Sequence, residues 1–278
     1  MTGAGSTTTD LTRQTRTGVL HLEFDYRHGQ TVLTRDVQKA PLLIIRPFTL
    51  PCGTLMVFII SPSGGLLGGD HSEIRVRVGR GARALVLTQS ATRVQPSPDW
   101  AAGGAAATQD IRFQVEGGGR LEFYPERTLM FAGSTLVQSI HAELEGGAEL
   151  GLSETLASGR VARGERLAFA EYRSRTEIWQ DSRRLYLDQL RLLPGEHTRA
   201  PGLWGELDYA AFGVWVGGGE LSEWPAVPGT LATGRSAAGA VWLRGASARG
   251  PELDQALNAA RERIRAQLFG AAPLQIRR

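Results

Sequence analysis

The stretch Ile74-Arg-Val-Arg-Val-Gly-Arg-Gly-Ala-Arg-Ala-Leu-Val-Leu-Thr88 contains the clearest fold signal in this chain. Apolar residues alternate with other residues before the glycines and again after them, which is the two-residue period of a β-strand. Gly79 and Gly81 interrupt the alternation and favour a tight turn. The stretch therefore predicts a strand, a glycine turn and a second strand.

The same pattern occurs twice more, around residues 117–119 and around residues 146–147. Equivalent β units stacked on one another, with side chains pointing alternately in and out, would produce such repeats. Their unequal spacing argues against a strict solenoid. We therefore expect a mostly β fold, a coiled, β-helix-like assembly of short, mostly antiparallel strands with few helices.

One amphipathic helix is expected near the C-terminus. Pro251 suits its first turn and Gly270 suits its end. Between them an apolar stripe follows the 3.6-residue period of a helix, so we expect this helix to pack on the β body. The stripe consists of Leu253, Leu257, Ala260, Ile264 and Leu268.

We expect a flexible tail over residues 1–16 and a single β-rich domain over residues 17–278. The tail is polar and lacks the apolar core of a signal peptide, and the longest apolar run, residues 55–60, is too short to span a bilayer. Cys52 is the only cysteine, which excludes an internal disulfide and a cysteine-rich metal site. A lone thiol fits a reducing compartment, so we expect a cytoplasmic protein.

The net charge of +3 reflects arginines and carboxylates almost alone, because Lys39 is the only lysine. The arginines are spread along the chain, and no basic run is long enough to form a nucleic-acid groove. We therefore expect no nucleic-acid partner and no membrane partner.

The most distinctive loop is Ser61-Pro-Ser-Gly-Gly-Leu-Leu-Gly-Gly-Asp70, in which two glycine pairs predict two backbone bends. It lacks the Gly-Lys-Ser/Thr of a phosphate-binding loop and the following helix of a dinucleotide fingerprint. The loop therefore positions Asp70, either as a turn-stabilising residue or as a metal ligand. The glycines are Gly64, Gly65, Gly68 and Gly69.

Two further carboxylates fall on apolar strand faces. Glu154 is in register with Leu150 and Leu152, and Asp188 lies within Tyr186-Leu-Asp-Gln-Leu190. A carboxylate on an apolar face must be paired, hydrated or bound to a metal, because an isolated buried charge is very costly. Two interpretations stay open: a salt bridge to an arginine, or a polar internal path for a cation.

Nothing in the sequence indicates catalysis. There is no Gly-x-Ser-x-Gly and no His-Glu-x-x-His. An alternative hypothesis is a carbohydrate-active β-solenoid enzyme with paired carboxylates, drawn from Glu122, Glu126 and Glu154. A third is an interaction module without any metal role.

Several segments, in one order, resemble motifs of the urease accessory protein D (UreD) family. Residues 61–70 resemble its Pro-Gly-Gly-hydrophobic-hydrophobic-Gly-Gly-Asp signature, although Ser63 stands where the family usually has proline. Residues 88–93 resemble its Thr-x-x-Ala-Ser/Thr-Lys segment. Residues 93–96 then depart from the usual Lys-aromatic-Tyr-Arg run, which affects any role of that run at a partner surface.

The later segments continue the resemblance, which covers about residues 18–192. Residues 121–126 resemble Leu-Glu-aromatic-x-Pro-Gln, and residues 128–133 resemble the hydrophobic-Phe-x-Gly-Ala that comes next. The last segment, residues 154–165, is similar to the family's Asp/Glu-x-x-x-x-Gly-Arg-x-x-x-Gly-Glu. Its motif residues include Arg160, Gly164 and Glu165.

The resemblance implies a scaffold for nickel insertion into urease, not an enzyme. Members of the family bind apo-urease and an F-type accessory protein, and through it a nickel-carrying G-type GTPase. Their fold is a β-rich coil, and nickel is thought to pass through an internal tunnel. The resemblance implies that Asp70, Glu154 and Asp188 are carboxylates on such a path. Ni²⁺ accepts oxygen ligands, so sparse carboxylates fit transient Ni²⁺ passage, with no cofactor tightly bound.

Overall fold

The computed structural model of the chain describes residues 15–99, 104–197, 207–227 and 230–274. Most of the tail expected at residues 1–16 lies outside these ranges. The flexible tail and the single domain over residues 17–278 therefore stay predictions.

Within the described ranges most of the chain forms β-strands. The helical elements are a 3₁₀ turn (Val161–Arg163), α1 (Pro194–His197) and α2 (Gly250–Phe269). In chain order the strands are β1 (Thr17–Arg27), β2 (Gln30–Lys39), β3 (Leu43–Ile44), β4 (Phe48–Thr49), β5 (Leu55–Ile60), β6 (Leu66–Leu67), β7 (His71–Val78), β8 (Arg83–Thr88), β9 (Thr92–Gln95), β10 (Ala107–Val115), β11 (Arg120–Tyr124), β12 (Thr128–Met130), β13 (Thr135–Leu144), β14 (Glu149–Ala157), β15 (Glu171–Gln180), β16 (Arg183–Leu192), β17 (Tyr209–Val216), β18 (Leu231–Arg235) and β19 (Val241–Ser247).

The strands form two sheets that enclose the main core. The first sheet has seven strands in the order β16-β15-β13-β10-β7-β1-β2. The second sheet has twelve, with the path β18-β19-β17-β14-β11-β8-β5-β3 and with β4, β6, β9 and β12 attached to it. The mostly β, coiled fold with few helices is thus confirmed.

Each predicted strand–turn–strand unit places one strand in each sheet. The units are β7–β8, β10–β11 and β13–β14, and their turns contain Gly81, Gly118 and Gly147 at φ of +72°, +73° and +79°. Glycine enters this left-handed region without a steric penalty. The turns therefore act as corners that carry the chain across the core from the first sheet to the second.

The expectation of mostly antiparallel strands was wrong. The stacked units pair in parallel, β7 with β10 and β10 with β13 in the first sheet, and β8 with β11 and β11 with β14 in the second. A glycine turn that changes sheets does not reverse the strand against its neighbour, so each unit enters the stack in the same direction. Antiparallel pairs lie at the margins, such as β1 with β2 and β15 with β16.

Matching registers build the core in layers. Ile111 lies between Ile74 and Ile140 in the first sheet. Phe123 lies between Val86 and Leu152 in the second sheet, and its ring centroid is 5.2 Å from that of Phe113. All of these side chains are at most 3% exposed. Burial of such apolar area is the main favourable term in folding.

The predicted C-terminal helix is confirmed as α2, which packs against β17 and β19 on the outer face of the second sheet. All five residues of its apolar stripe are buried. It ends at Gly270, whose φ is +57°.

Two strands, β17 and β18, lie in residues 194–240, a part of the sequence that is rich in proline and glycine and only weakly patterned. Ala210, Ala211, Val214 and Trp215 of β17 are all buried, because one face of that strand meets the core and the other meets α2. A strand buried on both faces lacks the alternation by which strands are recognised.

Candidate functional site

The glycine loop has the bends that its sequence predicts, but the structural need for glycine differs among its four glycine positions. Gly65 and Gly69 have φ of +117° and +91°. At Gly68 a Cβ would collide with the Ala105 carbonyl oxygen, so this position requires close backbone approach. Gly64 has open space except for the end of the flexible Gln95 side chain.

Asp70 completes the loop as a buried turn residue, 3% exposed. Its carboxylate accepts hydrogen bonds from the Leu67 amide at 3.1 Å and from the Arg16 amide at 3.0 Å. The Arg16 guanidinium also donates to this carboxylate, at 3.3 Å, through the oxygen that accepts from the Leu67 amide. Asp70 is therefore paired, as the turn-stabilising interpretation requires.

A cavity of about 160 Å³ lies beside this loop, with Asp70, Arg16, Ser72 and Gln109 in its lining. The Ser72 hydroxyl is buried and has no hydrogen-bond partner among the residues that the structure describes. The cavity therefore opens onto polar groups inside the sheets as well as onto the loop.

A row of polar side chains leads inward from the cavity along the first sheet. Ser72, Gln109, Gln138 and Ser174 are neighbours in register on β7, β10, β13 and β15. We call these four residues the polar row. They lie near the starts of these strands, at the end of the stack opposite the glycine turns, and on the same strand face as the core residue Ile140. The core is thus apolar near the turns and polar at the other end.

Glu154 faces the polar row from the second sheet. It follows the core residues Leu150 and Leu152 on β14, and the Gln138 Nε2 donates to its two carboxylate oxygens at 2.9 and 3.2 Å. Burial raises the pKa of Glu154 to about 7, while the hydrogen bond from Gln138 opposes the rise and the negative Asp188 adds to it. This carboxyl therefore titrates near neutral pH.

Tyr172 is the buried neighbour of this site. Burial raises the pKa of its hydroxyl, and the nearby negative charge of Glu154 raises it further. The hydroxyl thus stays protonated and supplies a neutral polar group beside the carboxyl.

Asp188 lies at the outer end of the same region, where the two sheets come together. It is paired in register with Thr176 on β15, and its carboxylate lies 2.6 Å from the Arg244 guanidinium of β19. Arg244 also donates to the Tyr186 hydroxyl at 3.1 Å and stacks over the Phe212 ring at 5.3 Å. Asp188 therefore takes part in a salt bridge, yet its charge still acts on Glu154.

The structure thus brings Glu154 and Asp188 together and leaves Asp70 on the cavity at the loop. Within the described ranges, no group of three or more histidine, cysteine, aspartate or glutamate side chains is arranged to hold a metal ion. The site therefore consists of Glu154, with Asp188 near it, beside the neutral side chains of the polar row.

The motif at residues 159–165 forms a separate structural turn. Arg160 and Glu165 form an ion pair, and Arg160 stacks over the Phe131 ring at 4.6 Å. The Glu165 carboxylate accepts a hydrogen bond from the Ala132 amide at 2.9 Å, and Gly164 ends the 3₁₀ turn at φ +72°. This turn joins two of the family-like segments and does not reach the polar row through these contacts.

The carboxylates of the carbohydrate-enzyme hypothesis do not share a cleft. Glu122 faces α2, away from the core, and is bound by Arg265 with Nε–O distances of 2.9 and 3.0 Å. Glu154 faces the core from the same sheet. Glu126 lines a small separate pocket with Asp254 and other residues at the α2 side. Two carboxylates on opposite faces of a sheet cannot flank one glycosidic bond.

Sequence reasoning missed Gln138 and Arg244. Gln138 has a detectable signal, because it occupies a core-facing position two residues before Ile140 on a strand of strict alternation. Arg244 has no such signal in the local sequence, because its partner Asp188 is distant in sequence and lies in the other sheet.

No helix in the described part of the chain is long and apolar enough to cross a membrane.

Comparison with known proteins gives consistent matches. A family model described as UreD urease accessory protein matches residues 16–278. A protein of Deinococcus radiodurans named urease accessory protein UreD is 59% identical over 277 residues, covering 98% of both chains. Proteins of the same name from Sorangium cellulosum and Nostoc punctiforme are 38% and 35% identical, each over 74% of this chain and over 63% and 73% of their own lengths.

Proposed function

This chain belongs to the UreD family of urease accessory proteins, and from this premise we propose that it acts in urease maturation as a scaffold for nickel insertion. The family resemblance drawn from the sequence motifs is thereby confirmed. An accessory role, not catalysis, follows from it. The proposed partners are apo-urease, an F-type accessory protein and, through that protein, a G-type GTPase that carries nickel, and the proposed compartment is the cytoplasm.

The observation that supports nickel passage is the setting of Glu154. Its carboxylate lies between the two sheets, and within the described ranges the hydrogen bonds that it accepts come from the neutral amide of Gln138 and not from an arginine. A carboxylate paired with an arginine must first give up that partner before it can bind a cation. Glu154 does not have to lose an arginine before it binds a cation, so it is the central residue of the proposed path.

The chemistry of this carboxyl suits transfer better than storage. Its pKa of about 7 means that a proton competes with a divalent cation for the same oxygens at neutral pH. Ni²⁺ accepts carboxylate and water oxygens, and a single carboxylate with neutral neighbours holds it loosely. The proposed site therefore accepts and releases the ion instead of retaining it.

Asp70 and Asp188 take the two ends of the proposed path. Each is paired with an arginine, Arg16 in one case and Arg244 in the other. Both arginine side chains are partly exposed, so a partner protein bound at either end can draw the arginine away and free the carboxylate. The ends would then open only in the assembled complex.

The scaffold role is tested by replacing the native D protein of a urease operon with this chain. The operon should be from a source whose D protein is a close relative, because partner surfaces must match. Active, nickel-containing urease is the expected result. Urease that stays nickel-free, although this chain is expressed and folded, would reject the proposal.

The path is tested with Glu154→Gln and a matched control, Glu143→Gln, on the outer face of the first sheet. Glu143 is 62% exposed and does not face the core. We expect Glu154→Gln to lower the nickel content of urease while the variant still copurifies with the partners, and Glu143→Gln to leave both unchanged. Normal nickel content with Glu154→Gln would remove the carboxylate from the path and leave the scaffold role standing.

A further inference from the structure

The single cysteine of this chain lies at the tip of a tight hairpin between β4 and β5. The Leu50 amide donates to the Thr54 carbonyl at 2.9 Å, and the Gly53 amide donates to the Leu50 carbonyl at 2.9 Å. Cys52 is partly buried, and its neighbours Pro51 and Gly53 are exposed. The hairpin tip that carries the thiol therefore lies at the surface.

The Arg265 guanidinium of α2 lies against this thiol. Arg265 is 1% exposed, its Nε donates to both oxygens of Glu122, and its Nη2 lies 3.9 Å from the Cys52 sulfur. Its Nη1 is buried and has no hydrogen-bond partner among the described residues. A buried donor without an acceptor is costly, so this guanidinium has unused hydrogen-bonding capacity.

The surroundings also make the thiol acidic. Burial alone would raise the pKa of Cys52, but the hydrogen bonds from Thr54 and the positive charge of Arg265 outweigh burial and lower it. The thiolate is the reactive form of cysteine. The groups that lower the pKa of the thiol come from the hairpin itself and from α2. Glu122 and Tyr124 in turn interact electrostatically with Arg265.

We propose that Cys52 is a modification site for hydrogen peroxide, with Arg265 as the residue that stabilises the oxidised product. The thiolate sulfur attacks one peroxide oxygen, a sulfur–oxygen bond forms and the oxygen–oxygen bond breaks. Sulfur loses two electrons, and the second peroxide oxygen leaves as hydroxide, which takes up a proton to become water. The product is a sulfenic acid, whose new oxygen accepts a hydrogen bond from the guanidinium that has an unused N–H.

This site connects three parts of the fold. Cys52 belongs to the β4–β5 hairpin, Arg265 to α2, and Glu122 to β11. An oxygen on Cys52 gives Arg265 a second acceptor besides Glu122 and so changes how α2 is held against the second sheet. This inference does not depend on the proposed function, since it concerns a surface away from the polar row.

The test uses the purified full-length protein and hydrogen peroxide, with dimedone present to trap sulfenic acid. Because Cys52 is the only cysteine, a dimedone adduct of the intact protein reports this residue alone, whereas the three methionines form no such adduct. We expect the adduct to form several-fold faster in the folded protein than in the protein unfolded in urea, because the lower pKa of the folded-state thiol raises its thiolate fraction. Equal rates in the two states would overturn the proposal.

The role of Arg265 is tested with Arg265→Lys and a matched control, Arg263→Lys, on the exposed face of α2. The Arg263 side chain is 52% exposed and lies 3.6 Å from the Glu223 carboxylate. Arg265→Lys should slow adduct formation several-fold, and Arg263→Lys should leave it unchanged. Equal rates in wild type and Arg265→Lys would reject the role of Arg265. If that variant does not fold, the pH profile of iodoacetamide alkylation decides, because a wild-type midpoint no lower than that of the unfolded protein contradicts the proposal.

Discussion

Gln138 and Glu154 join the two sheets at the polar end of the core, with the Gln138 amide donating to both carboxylate oxygens of Glu154 at 2.9 and 3.2 Å. An amide cannot neutralise the charge that it binds. The carboxyl therefore meets the cost of burial by holding its proton to a higher pH, and this coupling between packing and protonation governs several expected properties of the protein.

Glu154→Gln should change the pH dependence of stability. The pKa of this carboxyl rises from an ordinary 4.5 to about 7 in the fold. The folded state therefore binds more protons than the unfolded state between these values, and stability falls as pH rises through that window. We therefore expect the free energy of unfolding of the variant, measured relative to wild type, to be up to ~3 kcal/mol higher at pH 8 than at pH 4. Thermal unfolding at several pH values measures this, and parallel profiles would contradict it.

Gln138→Leu should destabilise the protein, because it leaves the Glu154 carboxyl without its amide donor. The expected loss is about 1–3 kcal/mol in urea unfolding at pH 8, and less at pH 5, where the carboxyl is neutral. Gln114→Leu is the control, since Gln114 lies on the exposed face of the neighbouring strand β10. A loss of the same size in both variants would show that the Gln138 contact has no special role.

Arg265→Met should be strongly destabilising. Arg265 and Glu122 are 1% and 0% exposed, so removing the guanidinium leaves a buried carboxylate unpaired. The expected cost is about 3–5 kcal/mol, and the double variant Glu122→Leu with Arg265→Met should recover most of it, because apolar residues pack there without a desolvation penalty. Denaturant unfolding of the singles and the double measures the coupling. Additive losses would argue against a coupled pair.

Gly65→Ala and Gly64→Ala form a matched pair in the glycine loop. At Gly65 the φ of +117° and the nearby Arg93 carbonyl both exclude a Cβ, whereas at Gly64 the nearest atom is the Nε2 of the flexible Gln95 side chain. Gly65→Ala should cost ~2 kcal/mol or more, and Gly64→Ala should cost less than ~0.5 kcal/mol. Thermal unfolding compares them directly, and the reverse order would mean that the loop is misassigned.

Asp70→Asn and Asp70→Ala separate the turn role of Asp70 from its charge. Asparagine keeps an oxygen for the Leu67 amide, but it loses the oxygen that accepts from the Arg16 amide and the ion pair with the Arg16 guanidinium. Because Arg16 is partly exposed, the ion pair contributes less than ~1 kcal/mol. Alanine loses all three contacts and should cost about 1–2 kcal/mol more than asparagine. Nickel content of urease made with the two variants gives the second measurement. Full nickel content with folded Asp70→Asn would limit this residue to holding the turn.

Much of the fold was accessible from local patterns. The alternation at Ile74, Val76 and Val78, with its repeats, predicts the strands and turns because a side chain that alternates in a strand meets core and solvent in turn. Strand direction was not accessible. Gly81 marks a turn equally well whether the chain stays in one sheet or crosses to the other, and only the second choice gives the parallel stack.

The candidate site was predicted only in part. Asp70 and Glu154 stand out as carboxylates beside glycines or on an apolar face, so their identity is readable. Their partners are not: Arg16, Gln138 and Arg244 approach from strands or segments far along the chain. Whether a carboxylate is paired or free therefore depends on contacts that local pattern does not contain.

Residues that are neighbours along the chain are enough to identify the β units, the C-terminal helix, the glycine loop and the family. The parallel stacking, the polar row opposite Glu154 and the buried link between Glu122 and Arg265 become visible only in three dimensions. Burial, and hence the raised pKa of Glu154, arises only when the two sheets close over side chains from separate strands.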